Sequence, residues 1–175
     1  ECEVIIPSYV CSALLHATRA AGAKAVVCDI DPNTRAIDGR DAAARENPDC
    51  RAAIVAHMFG LAVPMPVLSR DSTAIVEDCA MSIGAKQAGR PVGSLGALSI
   101  CSFYATKLIS SGGEGGMLLT DDDDMAATAR DLREYDYAGA DRLRYNYKMT
   151  DLAAAIGRVQ LRRLPGFVER RREIA

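Results

Sequence analysis

Six short runs of largely apolar residues recur along this chain, and they do not alternate with polar residues. The runs lie at residues 3–7, 24–30, 52–56, 73–76, 97–103 and 117–120. A strand of a parallel sheet has this pattern because it is buried on both faces. The runs therefore predict an α/β fold built on a largely parallel sheet.

Helical patterns separate these runs. An alanine-rich segment at 11–22 ends on glycine, polar residues 38–46 follow a turn at 31–34, and four aspartates precede residues 125–134. Acidic side chains favour the N-terminus of a helix. We therefore expect the four aspartates to be a solvated helix start rather than a cation site.

A last helix is predicted after Thr150, a residue type that caps helix N-termini. Leu152, Ile156 and Val159 fall on one face of it, so the helix is amphipathic and should pack on another surface. The Pro-Gly pair that begins at Pro165 predicts the end of this helix and the start of another.

Length and charge narrow the class of protein. The 175 residues suffice for one domain or one part of a larger protein. A net charge of -2 argues against nucleic-acid binding, because no excess of positive charge exists to neutralise phosphates. We expect no signal peptide and no membrane span, because the sequence shows neither a leader pattern nor an apolar run of membrane-spanning length. The chain begins in a predicted strand and stops in a helical pattern, so we expect a fragment of a longer protein.

The six cysteines are scattered without a Cys-x-x-Cys pair, and several lie in apolar runs, where cysteine behaves as a small hydrophobe. This pattern is typical of a reducing compartment, and we expect a cytoplasmic protein. Neither His16 nor His57 is spaced from cysteine as in a zinc site, so no metal is predicted.

Lys107 is one of only four lysines, against seventeen arginines, and it lies between an apolar strand run and the glycine-rich residues 111–116. Asp78 also follows a predicted strand, and open α/β sheets bind ligands at the carboxyl ends of strands. A lysine among apolar residues is suited to Schiff-base chemistry, because burial favours its neutral amine. An aspartate in the same crevice can hold the protonated nitrogen of a pyridoxal ring. Ser102 and the glycines suit an anionic phosphate.

Structural interpretations are also possible for Lys107 and Asp78. Lys107 is also consistent with a surface lysine whose stem is buried, and Asp78 with a helix cap. His57 is expected to be structural.

Ten short motifs appear along the chain in a fixed order. They include Glu-Asp-Cys-Ala at 77–80 and Ser-Phe-Tyr-Ala-Thr-Lys at 102–107, and the full set lies at 3–8, 21–23, 29–32, 57–60, 77–80, 93–96, 102–107, 113–116, 145–149 and 170–175. Together they resemble the DegT/DnrJ/StrS family of pyridoxal-phosphate sugar aminotransferases. The resemblance covers essentially the entire chain.

The resemblance implies an aspartate-aminotransferase-like fold, that of fold type I pyridoxal-phosphate enzymes, with a large domain on a mixed, mostly parallel sheet. Residues 1–175 would be the central part of that cofactor-binding large domain. The family's N-terminal phosphate-loop segment should then precede Glu1, and its small C-terminal domain should follow Ala175.

The resemblance also implies roles for individual residues. Lys107 falls on the Schiff-base lysine, Asp78 on the pyridine-nitrogen aspartate and Ser102 on the phosphate-binding serine. Asn146 falls on the asparagine that reaches the cofactor phosphate of the partner subunit, which implies a homodimer with shared active sites. Met81 stands where the family usually has glutamine or histidine near the cofactor's phenolic oxygen, and methionine cannot donate a strong hydrogen bond.

A second departure is Cys11, which replaces an aromatic residue that often stacks on the cofactor ring, with Tyr9 nearby as a substitute.

The family implies an aminotransferase that moves an amino group from glutamate to a keto-sugar nucleotide, as in polysaccharide or antibiotic sugar biosynthesis. Retention of Lys107 argues against the related sugar dehydratases, which typically have histidine there. Two alternatives stay open: another pyridoxal-phosphate reaction on the same fold, and a non-catalytic or regulatory relative.

Overall fold

The computed structural model describes residues 1–70, 72–136, 139 and 141–175. It contains two compact units, Glu1–Ile100 (unit 1) and Cys101–Ala175 (unit 2). The predicted sheet is found mainly in unit 1, and two long stretches of helix are found in unit 2.

Unit 1 is built on parallel strands. Its strands are β1 (Glu3–Pro7), β2 (Lys24–Cys28), β3 (Cys50–Ala56), β4 (Ala74–Asp78), the short β5 (Lys86–Gln87) and β6 (Arg90–Pro91), and the first part of β7 (Leu98–Ser102). The main sheet has the order β2-β1-β3-β4-β7, and each of these neighbouring pairs is parallel. Antiparallel pairing occurs in the β5–β6 hairpin. The mostly parallel sheet predicted from the apolar runs is therefore confirmed.

The helices of unit 1 are α1 (Ala13–Ala20) and α2 (Gly39–Arg45). The chain leaves α1 through Gly22, whose φ of +73° is a conformation that glycine adopts without strain. Asp38 caps α2 by accepting hydrogen bonds from the backbone N–H groups of Arg40 and Asp41. Both helices lie where the sequence predicts them. The segment 57–73 has no helix among its described residues.

Small apolar side chains fill the core of unit 1. Ile5, Val55 and Val63 are almost fully buried, together with Cys28 and Cys50. Burial, with the nearby Asp41 carboxylate, raises the pKa of the Cys28 thiol to about 12. These two cysteines thus behave as small hydrophobes, as their apolar sequence context predicts.

Unit 2 begins with the end of β7, which is followed by its neighbour β8 (Gly116–Leu119) and the helices α3 (Asp123–Leu132) and α4 (Asp151–Ile174). Thr150 caps α4, as predicted, and Asp122 caps α3 at the expected acidic helix start, each by accepting a backbone N–H three residues later. Although α4 has 24 residues, none of the described helices is both long and apolar enough to cross a membrane.

The prediction that the helix ends at Pro165 is wrong. Helix α4 runs through Pro165 without interruption. A proline removes one backbone hydrogen bond, but the turns on either side keep theirs. Arg163 adds a contact across the proline, because its guanidinium lies 5.1 Å from the centre of the Phe167 ring.

The apolar face of α4 is exposed within this chain. Leu152 is 80% exposed, and Ile156 and Val159 are about half exposed. The predicted stripe therefore exists, but the described residues do not cover it.

Replacing Pro165 with alanine should stabilise the full-length protein, by up to about 3 kcal/mol, because the new N–H can bond to the carbonyl four residues earlier. Urea unfolding measures the change. Pro64→Ala is the control, since Pro64 lies exposed in a segment without helix. That control should alter the free energy of unfolding by less than about 1 kcal/mol. Equal effects of the two substitutions would contradict the prediction.

Candidate active site

Asp78 is the last residue of β4 and lies at the carboxyl end of the parallel sheet, where α/β folds bind ligands. It is 8% exposed. Its backbone carbonyl accepts a hydrogen bond from the N–H of His57 at 3.0 Å, and its Oδ1 accepts one from the N–H of Ala80 at 2.9 Å. No helix begins here among the described residues, so Asp78 caps a turn rather than a helix.

Met81 lies in the turn that Asp78 caps, three residues further on, and is 44% exposed. The second departure, Cys11, and its possible substitute Tyr9 are also at the surface of unit 1. Cys11 is exposed, while the half-exposed Tyr9 ring lies 6.3 Å from the ring of Phe59. Tyr9 is thus an aromatic residue available beside the position that Cys11 occupies in the sequence.

A buried pair that sequence reasoning missed lies directly behind Asp78. The Glu77 carboxylate is fully buried and accepts a hydrogen bond from Nε2 of His57 at 2.9 Å. It also accepts three backbone N–H groups, from Gly93 at 2.8 Å, Leu95 at 2.6 Å and Gly96 at 2.7 Å. These four donors surround both carboxylate oxygens.

The surroundings of this pair fix its charge state. Burial alone would raise the pKa of Glu77, but the backbone N–H groups of Gly93 and Gly96, with His57 and Leu95, hold it below its ordinary value. The His57 ring accepts the Val63 N–H at Nδ1 at 3.2 Å. Its proton is therefore on Nε2, and a neutral imidazole donates to an ionised Glu77.

His57, Glu77 and Cys79 bring potential metal ligands within 4.8 Å of one another. Their separation in sequence concealed this cluster, and the spacing rules that exclude zinc did not test it. The hydrogen bonds just described occupy both ring nitrogens of His57 and both oxygens of Glu77. A metal ion would have to displace them, so we interpret the cluster as a hydrogen-bonded pair.

In unit 2, Ser102 and Lys107 lie in one short segment. Ser102 ends β7, and its Oγ accepts the Tyr104 N–H at 3.4 Å. The Lys107 N–H donates to the Tyr104 carbonyl at 2.9 Å and closes a turn. Lys107 is half-buried, and its side-chain nitrogen has no hydrogen bond or ion pair with any residue that the structure describes.

Close packing accounts for two glycines of the glycine-rich segment. A Cβ on Gly115 would lie 2.2 Å from Ser111 Oγ, and one on Gly116 would lie 2.9 Å from the Cys101 carbonyl oxygen. The Ser111 hydroxyl is held in place by donating to the Glu114 carbonyl at 2.7 Å. Glycine is required at these two positions by neighbouring atoms of unit 2, whether or not a phosphate binds there.

Asn146 is exposed in unit 2, between Tyr145 and Tyr147, whose rings stack at 4.8 Å. The following residue, Lys148, pairs with two acids just beyond α3, and backbone N–H groups of the two tyrosines donate to the carbonyls of Leu132 and Arg133 at the end of that helix. A groove of about 670 Å³ lies beside it, lined by the glycine-rich segment and residues 147–150 and 153. Asn146 lies outside the segment that carries Ser102 and Lys107.

The chain matches a known protein family along its whole length. The sequence model of the DegT/DnrJ/EryC1/StrS aminotransferase family matches residues 1–175. The chain is 37% identical over 174 residues to GDP-perosamine synthase of Caulobacter vibrioides, covering 93% of this chain and 46% of that protein. It is 34% identical over 180 residues to the pleiotropic regulatory protein of Geobacillus stearothermophilus, covering 99% of this chain and 48% of that protein.

A solved structure is similar in fold. DesV of S. venezuelae, in complex with a ketimine intermediate, superposes with a TM-score of 0.87 at 28% identity, covering 94% of this chain and 46% of that chain. The sugar-aminotransferase fold implied by the sequence is therefore confirmed. The chain spans about half the length of the curated relatives it matches.

Replacing Glu77 with glutamine should destabilise the full-length protein by roughly 2 to 4 kcal/mol, because the new NH₂ would face two buried donors in either orientation. Asp29→Asn, on the exposed side of unit 1, removes the same charge and is the control. Chemical denaturation measures both variants. Equal stabilities for the two would show that the hydrogen bonds to Glu77 contribute little.

The stabilisation by Glu77 should also depend on pH. The pKa of this carboxylate is lowered in the fold, so its contribution is present above its ordinary pKa of 4.5 and is lost as the pH falls through the folded value. The stability difference between the wild-type protein and the glutamine variant should therefore shrink below about pH 4.5. Unfolding curves recorded between neutral and acid pH measure it, and a constant difference would contradict the assignment.

Proposed function

Because the chain belongs to the DegT/DnrJ/EryC1/StrS aminotransferase family, we propose that the full-length protein transfers an amino group from glutamate to a keto-sugar nucleotide, with pyridoxal phosphate as cofactor. The observation that carries the proposal is the half-buried side chain of Lys107, which has no partner among the described residues and lies at the family's lysine position in a chain that matches the family throughout. Residues 1–175 then form part of the cofactor-binding large domain.

The residues present fit this cofactor. Asp78 offers a nearly buried carboxylate at a strand end, suited to the N–H of a pyridine ring. The Ser102 Oγ accepts one backbone N–H and keeps its own proton to donate to a phosphate oxygen. The half-buried Lys107 amine has no competing partner among the described residues.

Each residue then has a distinct task. Pyridoxal phosphate, when bound, supplies a ring that withdraws the electron pair left on a carbon after its proton is removed. Lys107 would hold the cofactor covalently through Nζ, and the same nitrogen would accept the proton removed from the donor's Cα. Asp78 keeps the pyridine nitrogen protonated, and Ser102 binds the phosphate. Met81 contributes apolar surface beside the ring but no hydrogen bond.

We propose that two copies share their active sites. Asn146 is exposed, so its amide can reach the cofactor phosphate of a second copy. The uncovered apolar face of α4 supports burial against another surface in the complete protein. The acceptor class rests on relatives such as GDP-perosamine synthase, whose name indicates a nucleotide sugar. We place the reaction in the cytoplasm, because cysteines in apolar runs without Cys-x-x-Cys spacing are typical of a reducing compartment.

A regulatory role is the second candidate. One relative is a pleiotropic regulatory protein at 34% identity, and Met81 and Cys11 both depart from the residues expected around the cofactor. Fold alone does not separate the two functions. A further pyridoxal-phosphate reaction on the same fold is the enzyme alternative.

Lys107→Ala should abolish the visible absorbance band that the full-length protein forms with pyridoxal phosphate, because no amine remains to hold the cofactor. Lys86→Ala is the matched control, since Lys86 is exposed on β5. Absorbance titration with cofactor measures both variants.

The outcomes separate the candidate functions. No band in the wild-type protein at any pH would overturn catalysis and favour the regulatory role. A band without 2-oxoglutarate release from glutamate, across a panel of keto-sugar nucleotides, would indicate a different pyridoxal-phosphate reaction.

A further inference from the structure

We propose that His57 and Ser82 are positioning residues that fix the direction of the Asp78 carboxylate. The significance of that carboxylate for a cofactor rests on the proposed function, whereas the positioning itself is a property of unit 1. Three connected sets of contacts carry the inference.

The Asp78 side chain depends on the turn that follows it. Its Oδ1 accepts the Ala80 N–H at 2.9 Å, so the carboxylate points where the turn places that N–H. The turn is closed by Ser82, whose N–H donates to the Cys79 carbonyl at 3.1 Å. Ala85 then donates to the Ser82 carbonyl at 2.9 Å. A shift of Ser82 would therefore move the N–H that orients Asp78.

His57 holds this turn and the strand end together. Its N–H donates to the Asp78 carbonyl at 3.0 Å, and its own carbonyl accepts a hydrogen bond from the buried Ser82 hydroxyl. One residue thus contacts the Asp78 backbone on one side and the turn on the other. The Ser82 hydroxyl is the side-chain link between the turn and β3.

His57 is itself immobilised at both ring nitrogens. Val63 donates to Nδ1, and Nε2 donates to Glu77, which is in turn held by the backbone of residues 93–96. Both side chains are almost fully buried. The imidazole cannot rotate without breaking a buried hydrogen bond, so the backbone of His57 is a fixed reference for Asp78.

A fixed carboxylate matters because a hydrogen bond to a bound ring tolerates little displacement. Active-site groups must be held to within about 0.5 Å by surrounding packing and hydrogen bonds. The chain from residues 93–96 through Glu77, His57 and Ser82 provides that support for Asp78.

Ser82→Ala tests the link, and Thr18→Val is its control. Both residues are buried and both donate a hydroxyl to a backbone carbonyl, but Thr18 donates to Leu14 within α1, outside the network of Glu77, His57 and Ser82. Hydrogen exchange at the Ala80 amide of the full-length protein without cofactor should be about tenfold faster in Ser82→Ala than in Thr18→Val. His57→Gln should have the same effect, because it removes the acceptor for the Val63 N–H.

The second measurement tests whether the Asp78 carboxylate still contacts the pyridine nitrogen of the bound cofactor. Pyridoxal phosphate labelled with ¹⁵N in its ring reports the protonation of the pyridine nitrogen through its chemical shift. Ser82→Ala should move this shift toward the unprotonated ring, while Thr18→Val should retain the wild-type value.

Each outcome decides one proposal. Wild-type exchange and wild-type shift in Ser82→Ala would overturn the positioning role and leave the proposed function intact. If no cofactor binds to the wild-type protein, the proposed function fails, and the Ala80 exchange rate alone decides the positioning role. Equal acceleration in Ser82→Ala and Thr18→Val would also overturn it, because it would show general loosening of unit 1.

Discussion

A carboxylate with no exposed surface stays charged only when donors replace the water it has lost, and four donors surround Glu77. This constraint organises the carboxyl end of unit 1. It ties the end of β3, the end of β4 and the loop at 93–96 to one side chain. Asp78 is the next residue along the chain, so its backbone is held in a fixed position. A fixed position suits a residue that we propose to hold a cofactor ring.

Local patterns predicted most of the fold. Apolar runs predicted every strand of the main sheet of unit 1, because strands that are buried on both faces consist mainly of apolar residues. Thr150 marked the start of α4, since its side chain bonds to nearby backbone, and the four aspartates marked the start of α3. The β5–β6 hairpin was missed because two-residue strands contain too few residues to show a pattern. The prediction of a helix end at Pro165 was wrong because the loss of a single hydrogen bond does not end a long helix.

For the site, the sequence identified individual residues but not the contacts between them. The ordered motifs identified Lys107, Asp78, Ser102, Met81 and Asn146, whose roles are proposed. The His57–Glu77 pair could not be found in the same way, because the two residues are 20 positions apart and only the parallel register of β3 and β4 brings them together. His57 and Glu77 each lie in one of the family motifs, but a sequence motif does not show which side chains contact one another.

The contact between Ser111 and Gly115 has an evolutionary consequence. The hydroxyl of Ser111 occupies the space that a side chain at 115 would need. The two positions cannot drift independently: a relative that carries alanine at the second must have lost bulk at the first or rerouted the loop. Variation at this pair should therefore be correlated among family members, even though neither residue is proposed to touch a substrate.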